Sequence, residues 1–315
     1  MIKKILIISH RDADGITAAV SYILNYLEIN NISKNIKNIY KYADIIDFEY
    51  GEDLDLIFKK KKIDLSSYKQ VVVLDLNIGL DKTISVYKRF KQNFIWIDHH
   101  KRPDKDVEKE LIKKKIKING IRDYKYAACF LVWKFFNKGA PEFVKYIQDM
   151  DLWTFKLDNS IYFIAGLINL KDKYSRKNIK YVFDLLDFDN FNLNKQKIID
   201  KGKIVHEHER KHILSLIPLG KIIKFHGKKA FIINTIFFAG VFSEVLFNLK
   251  NKKYKDVEIF IIWNKIYNTN KYKFSLRKRK NSNTDLSLIA KEYGGGGHPA
   301  AAAFNLDDIS KLKYD

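Results

Sequence analysis

The sequence has little of what marks a secreted, membrane-spanning or disulfide-stapled protein. A single cysteine, Cys129, among 315 residues excludes an intramolecular disulfide and any zinc site built from several thiolates. No stretch of about 18 uncharged apolar residues occurs, so a membrane span is not expected. The opening residues, MIKKILIISH, turn polar too early for a secretory leader, and with the lone cysteine they point to a reducing, cytoplasmic setting. There is no internal repeat. Low complexity is confined to short lysine runs such as Lys59–Lys62 and Lys113–Lys115, which read as solvated faces.

What is present describes a folded chain. Hydrophobic residues at 46% and aromatics at 14% exclude a mainly disordered protein. The length suits two domains, each able to bury a core of its own. The formal charge of +21 comes mostly from lysine in a chain also rich in asparagine and isoleucine, a pattern that base composition alone can produce. Diffuse lysine raises affinity for polyanions without defining a site, so charge by itself does not separate a nucleic-acid footprint from a basic surface.

The apolar runs Ile5–Ile8, Val71–Leu74 and Phe94–Ile97 are short, β-branched and bounded by polar clusters, and they predict buried parallel strands. Helical stretches, such as Thr17 to Leu27 and Asp81 to Phe90, lie between them. Strand alternating with helix is an α/β layer, whose ligands bind beyond the carboxyl ends of the strands. From Asn192 to Ile217 the pattern becomes one long charged helix stopped by Pro218. Beyond it, strand patterns at Ala230–Asn234, Val257–Trp263 and Lys271–Leu276, a helix near Ser243–Leu249 and a glycine-rich turn at Gly294–Gly297 indicate a second, smaller α/β domain. The expected division is therefore 1–191, a connector helix over 192–217, and 218–315.

The strand ends carry the chemistry. His10, Asp12 and Asp14 follow the first strand at alternate positions, Asp75 follows the second, and Asp98, His99 and His100 follow the third. Asp149 and Asp151 follow an amphipathic segment, Phe143–Ile147. Each piece alone has a plain structural explanation: an Asp after a strand is often a helix cap, and Asp14-Gly15 is an ordinary turn signal. Gathered in one crevice, however, so many carboxylates disfavour joint ionisation unless a cation is present. Mixed carboxylate and imidazole donors without thiolate favour Mn²⁺ or Mg²⁺, with Zn²⁺ or Co²⁺ as further options. Two such ions can clamp a phosphoryl group and draw hydroxide from a shared water.

The series His10-Arg11-Asp12-Ala13-Asp14-Gly15, Asp75, Asp98-His99-His100 and Asp149 resembles the four motifs of the DHH phosphoesterase superfamily. Gly294-Gly295-Gly296-Gly297-His298 followed by the alanine run to Phe304 resembles the GGGH signature of its DHH-associated C-terminal domain. That superfamily includes RecJ single-strand exonucleases, NrnA-type oligoribonucleases, phosphoadenosine phosphatases and cyclic dinucleotide phosphodiesterases. The resemblance implies a parallel-sheet DHH catalytic domain joined through the connector helix to a smaller α/β substrate-gripping domain. It implies two divalent ions, foremost Mn²⁺: His10 and Asp12 would bind one, Asp14, His99 and Asp149 the other, and Asp75 would bridge; Asp151 is the rival to Asp149, which is favoured. Asp98 would orient the histidines and His100 would face the phosphate. In the second domain Gly295, Gly296 and Gly297 would let backbone N–H groups approach an anion, His298 would touch the substrate and Arg277 would grip a phosphate. Where the family has a glycine near the end of the alanine run, this chain has Ala303.

Two decoys are set aside. His208-Glu209-Arg210-Lys211-His212 matches the HExxH zinc-protease pattern, but its neighbours Lys201, Lys203 and Glu207 mark a solvated helix. Phe237 and Phe238 read as core, which leaves Tyr293 as the base-stacking candidate. The expected activity is hydrolysis of phosphodiester bonds in short RNA or single-stranded DNA from an end, as an exonuclease or oligoribonuclease. The alternatives are a phosphatase or phosphodiesterase for phosphoadenosine phosphate or cyclic dinucleotides, and a non-catalytic nucleic-acid-binding relative. Substrate nucleotide or nucleic acid is the one expected partner, with no membrane involved; oligomeric state is open, a dimer included.

Overall fold

The computed structural model describes residues 3–49, 52–100, 107–169, 179–237, 239–267 and 269–314. The chain divides into two units, residues 1–203 and 204–315. The first runs β1 (Lys4–His10), α1 (Ala13–Ile29), α2 (Ile36–Tyr42), β2 (Ala43–Phe48), α3 (Leu54–Lys60), β3 (Tyr68–Leu74), α4 (Leu80–Phe90), β4 (Phe94–Ile97), α5 (Val107–Lys113), α6 (Ala128–Phe135), α7 (Glu142–Asp151), α8 (Ser160–Asn169) and α9 (Ile179–Leu186), and enters the long α10 (Phe188–Leu216). The second contains β5 (Lys221–Phe225), β6 (Lys228–Asn234), α11 (Ala239–Phe247), β7 (Ile259–Lys265), β8 (Tyr272–Lys278), α12 (Leu286–Glu292), β9 (Gly296–His298) and β10 (Ala301–Leu306).

The first sheet is parallel, in the order β2-β1-β3-β4. Its apolar runs have no polar face because helices cover both sides. Along each strand the side chains alternate between two cores. Ile5, Ile7, Val72, Leu74, Ile95 and Ile97 face one that includes α1, α6, α7 and α9. Leu6, Ile8, Val71, Val73, Phe94 and Trp96 face another, built with Leu54 and Phe58 of α3, Val86 and Phe90 of α4 and Leu111 of α5. The chain leaves β1 for β2 on one side and returns to β3 on the other. This reversal opens a crevice at the carboxyl ends of β1 and β3, the usual ligand position in such sheets.

At that crevice α1 starts abruptly. Asp12 caps it, its Oδ1 accepting the Gly15 N–H at 2.9 Å. Gly15 lets the first turn press against the end of β1, since a Cβ there would lie 2.2 Å from the His10 carbonyl oxygen. The helix origin is thus pinned to the strand end that bears the site.

In the second unit a mixed sheet runs β5-β6-β7-β8-β10-β9. One face packs on α12 through Phe274, Leu276, Ala302 and Phe304. The other packs on α11 through Phe231, Phe260 and Ile262, with Ile213 and Ile217 beside them. Phe237 packs against this second core as expected, whereas Phe238 lies outside the described residues. The glycine-rich segment is more than a turn: Gly294, at φ +75°, ends α12, and Gly296–His298 form the edge strand.

Gly15→Ala should destabilise the protein by about 1–3 kcal/mol in chemical denaturation, the range for overpacking. Helix propensity alone would favour alanine by about 0.5–1 kcal/mol, so the sign of the change identifies the close approach to His10.

Candidate active site

The strand ends of the first unit bring the predicted residues into one cluster. Asp75, just past β3, is left-handed at φ +62°, yet its N–H still donates to the Ile97 carbonyl at 2.9 Å. The turn therefore begins without breaking the ladder, and it places the Asp75 carboxylate in the centre. Around it, His10 Nδ1 lies 3.7 Å from Oδ2, His99 Nε2 3.2 Å from Oδ1, and His100 Nδ1 3.7 Å from Oδ1. Asp12 combines its capping role with a second one: its Oδ2 meets His10 Nδ1 at 2.8 Å. Asp14 is buried on α1, and its two oxygens accept the Ala128 and Cys129 N–H groups at 2.7 and 2.8 Å, at the start of α6.

Asp98 is the organiser of the DHH triplet. Its Oδ1 accepts the backbone N–H groups of His99 and His100 and pairs with His100 Nδ1 at 2.8 Å. The His100 ring is thereby held with Nδ1 toward Asp98 and its Nε2 edge turned away.

Of the two rivals for the fourth motif, the structure brings Asp151 rather than the favoured Asp149 to the cluster. Asp149 accepts from the Thr154 hydroxyl and from the N–H groups of Lys156 and Leu157 at 2.8 and 3.0 Å. Those bonds shape a loop in which Trp153 and Phe155 both have positive φ. Burial pushes the Asp149 carboxyl up, but its donors outweigh burial and hold it below the usual range. Asp151 instead lies 3.2 Å from His99 Nε2. Residues two apart on a helix do not share a face, so only one of the pair reaches the site.

Burial and repulsion dominate the electrostatics. Desolvation first, then the charges of Asp14 and Asp12, push the Asp75 carboxyl well above its normal range. Desolvation and the Asp14 charge do the same to Asp151. Burial lowers the His10 pKa, but Asp12 and Asp75 outweigh it and raise the ring to about 11. Both Asp75 oxygens and Asp151 Oδ2 are shut off from water with no hydrogen-bond donor among the described residues. These are carboxylates arranged to be neutralised. His10, Asp12 and Asp75 can converge on one ion, and so can Asp14, Asp75 and His99; in each set the donor atoms lie within 4.8 Å of one another. The oxygen and nitrogen donors fit a divalent cation of the Mg²⁺ to Mn²⁺ class.

The second unit presents its own candidates in register. Arg277 on β8 and His298 on β9 both pair with Ala301 on β10, so all three side chains share one sheet face. Two strand spacings separate Arg277 from His298, about 9–10 Å. The next row on that face is Ser275, Ala303 and Gly296, all small. A low shelf therefore lies between the two larger side chains. Burial lowers the Arg277 guanidinium to about 10, as expected for a cation held away from water. Gly295 fits tightly under β10, where a Cβ would lie 2.2 Å from the Ala303 oxygen, whereas Gly296 faces open space. Tyr293 stacks on Phe304 with centroids 4.4 Å apart, so one ring face is already occupied by the core.

Comparison with known proteins finds a family match over each of the two units. The model of the DHH family N-terminal domain matches residues 4–202, and that of the DHHA1 domain matches residues 228–314. The chain belongs to the DHH family. Members of this family are hydrolytic phosphoesterases. A curated relative, uncharacterized protein R106 of Acanthamoeba polyphaga mimivirus, is 25% identical over 80% of this chain but only 56% of its own length, so the chain spans little more than half of that relative. Among solved structures, the pGpG-specific phosphodiesterase PggH of Vibrio cholerae is similar at TM-score 0.51 and 17% identity, covering 98% of this chain and 94% of that one. CDC45 of Entamoeba histolytica is similar at TM-score 0.51 and 10% identity, with the same two coverages, 98% and 94%.

Within this DHH chain the HExxH match lies on a solvated helix face: His208 and His212 are exposed on α10, their Nε2 atoms 3.3 Å apart. Among the described residues no helix is long and apolar enough to cross a membrane. One neighbour of the cluster has no motif to announce it. Glu49, just past β2, lies 3.3 Å from His10 Nε2.

Asp75→Asn should stabilise the metal-free protein, because it removes one buried like charge and asparagine tolerates a left-handed backbone. With the folded-state carboxyl pKa raised, the native state retains a proton that the unfolded chain loses above about pH 4, so this residue's contribution to stability falls as pH rises. The gain in melting temperature over wild type should therefore be larger at pH 8 than at pH 5, and added Mn²⁺ should reverse the order of the two proteins.

Proposed function

We propose that this phosphoesterase hydrolyses phosphodiester bonds of short single-stranded RNA or DNA from an end, using two divalent ions, with Mn²⁺ the preferred metal. The observation that carries the reading is the Asp75 carboxylate, buried, without a hydrogen-bond donor among the described residues, and common to three sets of potential ligands, two of which leave Asp98 to its histidine. One ion would be held by His10, Asp12 and Asp75, and the other by Asp14, Asp75, His99 and Asp151. Such ions, when bound, polarise a phosphoryl oxygen and lower the pKa of water beside them.

The chain's own residues supply orientation and grip. Asp98 fixes His100 through Nδ1, so the Nε2 edge is the part of the ring that can meet a phosphate or a leaving oxygen. Arg277 offers a planar, poorly hydrated guanidinium to an anion. As the edge strand, β9 turns a rim of backbone N–H groups away from the sheet beside His298. The small residues between Arg277 and His298 leave room for a nucleotide rather than a side chain. Gly295, Gly296 and Gly297 contribute through this backbone approach. The connector assignment rests on α10, within which the two units divide. The basic charge favours polyanions over neutral esters. A short substrate with a free end is also the class to which pGpG, the dinucleotide named for PggH, belongs.

The test is hydrolysis with Mn²⁺, Mg²⁺ or chelator over a length series of RNA and DNA oligomers from pGpG upward, with phosphoadenosine phosphate and cyclic di-AMP alongside. Release of mononucleotides from oligomers, dependent on metal and absent in Asp75→Ala and Asp151→Ala, is expected. Turnover of the small molecules alone would overturn the nucleic-acid reading, and binding without turnover would overturn the enzymatic one. Arg277→Ala should raise KM by about 10–100-fold, the worth of a charge-assisted hydrogen bond, with a smaller change in kcat.

A further inference from the structure

The outward edge of His10 meets a carboxylate from just past another strand. Its Nδ1 faces inward, 2.8 Å from Asp12 and 3.7 Å from Asp75. The two ring nitrogens diverge, so Nε2 points out of the cluster, and there Glu49 Oε1 lies 3.3 Å away. Glu49 is therefore on the wrong side of the ring to share an ion with Nδ1, but on the right side to accept an N–H.

Glu49 is not an unattached surface acid. Its backbone N–H donates to Glu52 Oε2 at 2.8 Å, and the Glu52 N–H returns to the Glu49 carbonyl at 3.1 Å. Arg11, next to His10 in sequence, grips both Glu52 oxygens at 2.9 and 2.7 Å and Asp47 Oδ2 at 2.8 Å. The Arg11 N–H also bonds the Phe48 carbonyl at 2.9 Å. The end of β2 is thus tied to the residue beside the histidine it serves. Burial does not force this contact, because the Glu49 side chain is 48% exposed against 15% for His10. Geometry alone keeps the carboxylate on the ring.

We propose that Glu49 is a positioning residue for His10: by accepting the Nε2 proton it fixes the tautomer whose Nδ1 lone pair faces the ion held with Asp12 and Asp75. Arg11 serves the same end through Glu52, which bonds the Glu49 backbone. A carboxylate behind a ligating histidine orients the ring and raises its basicity, and its loss typically weakens metal binding by roughly 10–100-fold. The inference rests on the metal-site reading above, but its test needs no turnover.

The experiment is calorimetric titration of metal-stripped full chain with Mn²⁺, for wild type, Glu49→Ala and Glu49→Gln, with melting of each metal-free form. Glu49→Ala should weaken Mn²⁺ binding by roughly 10–100-fold while the metal-free melting temperature stays near wild type. Glu49→Gln keeps an oxygen acceptor and should recover most of the loss. Affinity of Glu49→Ala within about twofold of wild type would overturn the assignment and leave the metal site standing. A glutamine variant as weak as alanine, or a weakening matched by a fall in metal-free stability, would also overturn it. Failure of the wild type to take up Mn²⁺ would remove the metal reading and the role of Glu49 with it.

Discussion

Asp14, Asp75 and Asp151 are forced together by the way three strands and a helix end at one crevice, and the rest of the first unit is arranged around that crowding. Their charges face one another where water does not reach, which is the least favourable place for ionised carboxylates. Imidazoles relieve part of the repulsion. The start of α6 relieves another part by offering two N–H groups to Asp14. What is left over is what the proposed cation would relieve: a divalent ion gains most where the protein has withheld other partners. The strained backbone at Asp75 belongs to the same economy, since a left-handed residue past a buried strand persists only when its surroundings over-determine it.

The division of labour between the acids follows from which partners each one has. Asp149, Asp98 and Asp12 have their oxygens engaged by backbone or ring donors and act as fasteners, for a loop, a histidine and a helix start respectively. Asp75 and Asp151 have not, and they are the ones whose protons are held tightly. Hydrogen-bond supply thus sets Asp149 and Asp98 apart from Asp75 and Asp151, while Asp12 and Asp14 accept backbone N–H groups and still stand within the donor sets around Asp75.

The sequence makes much of this legible, and the exceptions have physical causes. Runs such as Val71–Leu74 announce central strands because burial on two faces leaves no polar residues in them. The strands it does not announce are β2, β5 and β9, all at sheet edges, where Asp44 and Asp47, Lys221 and Lys224, or bare glycines replace the apolar run. β10 is masked by its alanines, whose small size is what leaves the shelf beside Arg277 open. Asp149 and Asp151 stand in the same motif and differ only in the helix face they occupy, which spacing at a helix end does not resolve. Glu49 carries no signal, because its neighbour His10 is nearly forty positions away and the contact exists only once β1 and β2 are paired.

The left-handed turn at Asp75 also bears on how this lineage could change. Few residues sit comfortably at φ +62°, and the two best suited, asparagine and glycine, both lack the negative charge. A descendant released from selection for catalysis would thus find its easiest exit at the centre of the site, by a change that keeps the backbone and eases the crowding. Asp75 is therefore the position at which the backbone and the proposed ions make opposite demands on one side chain.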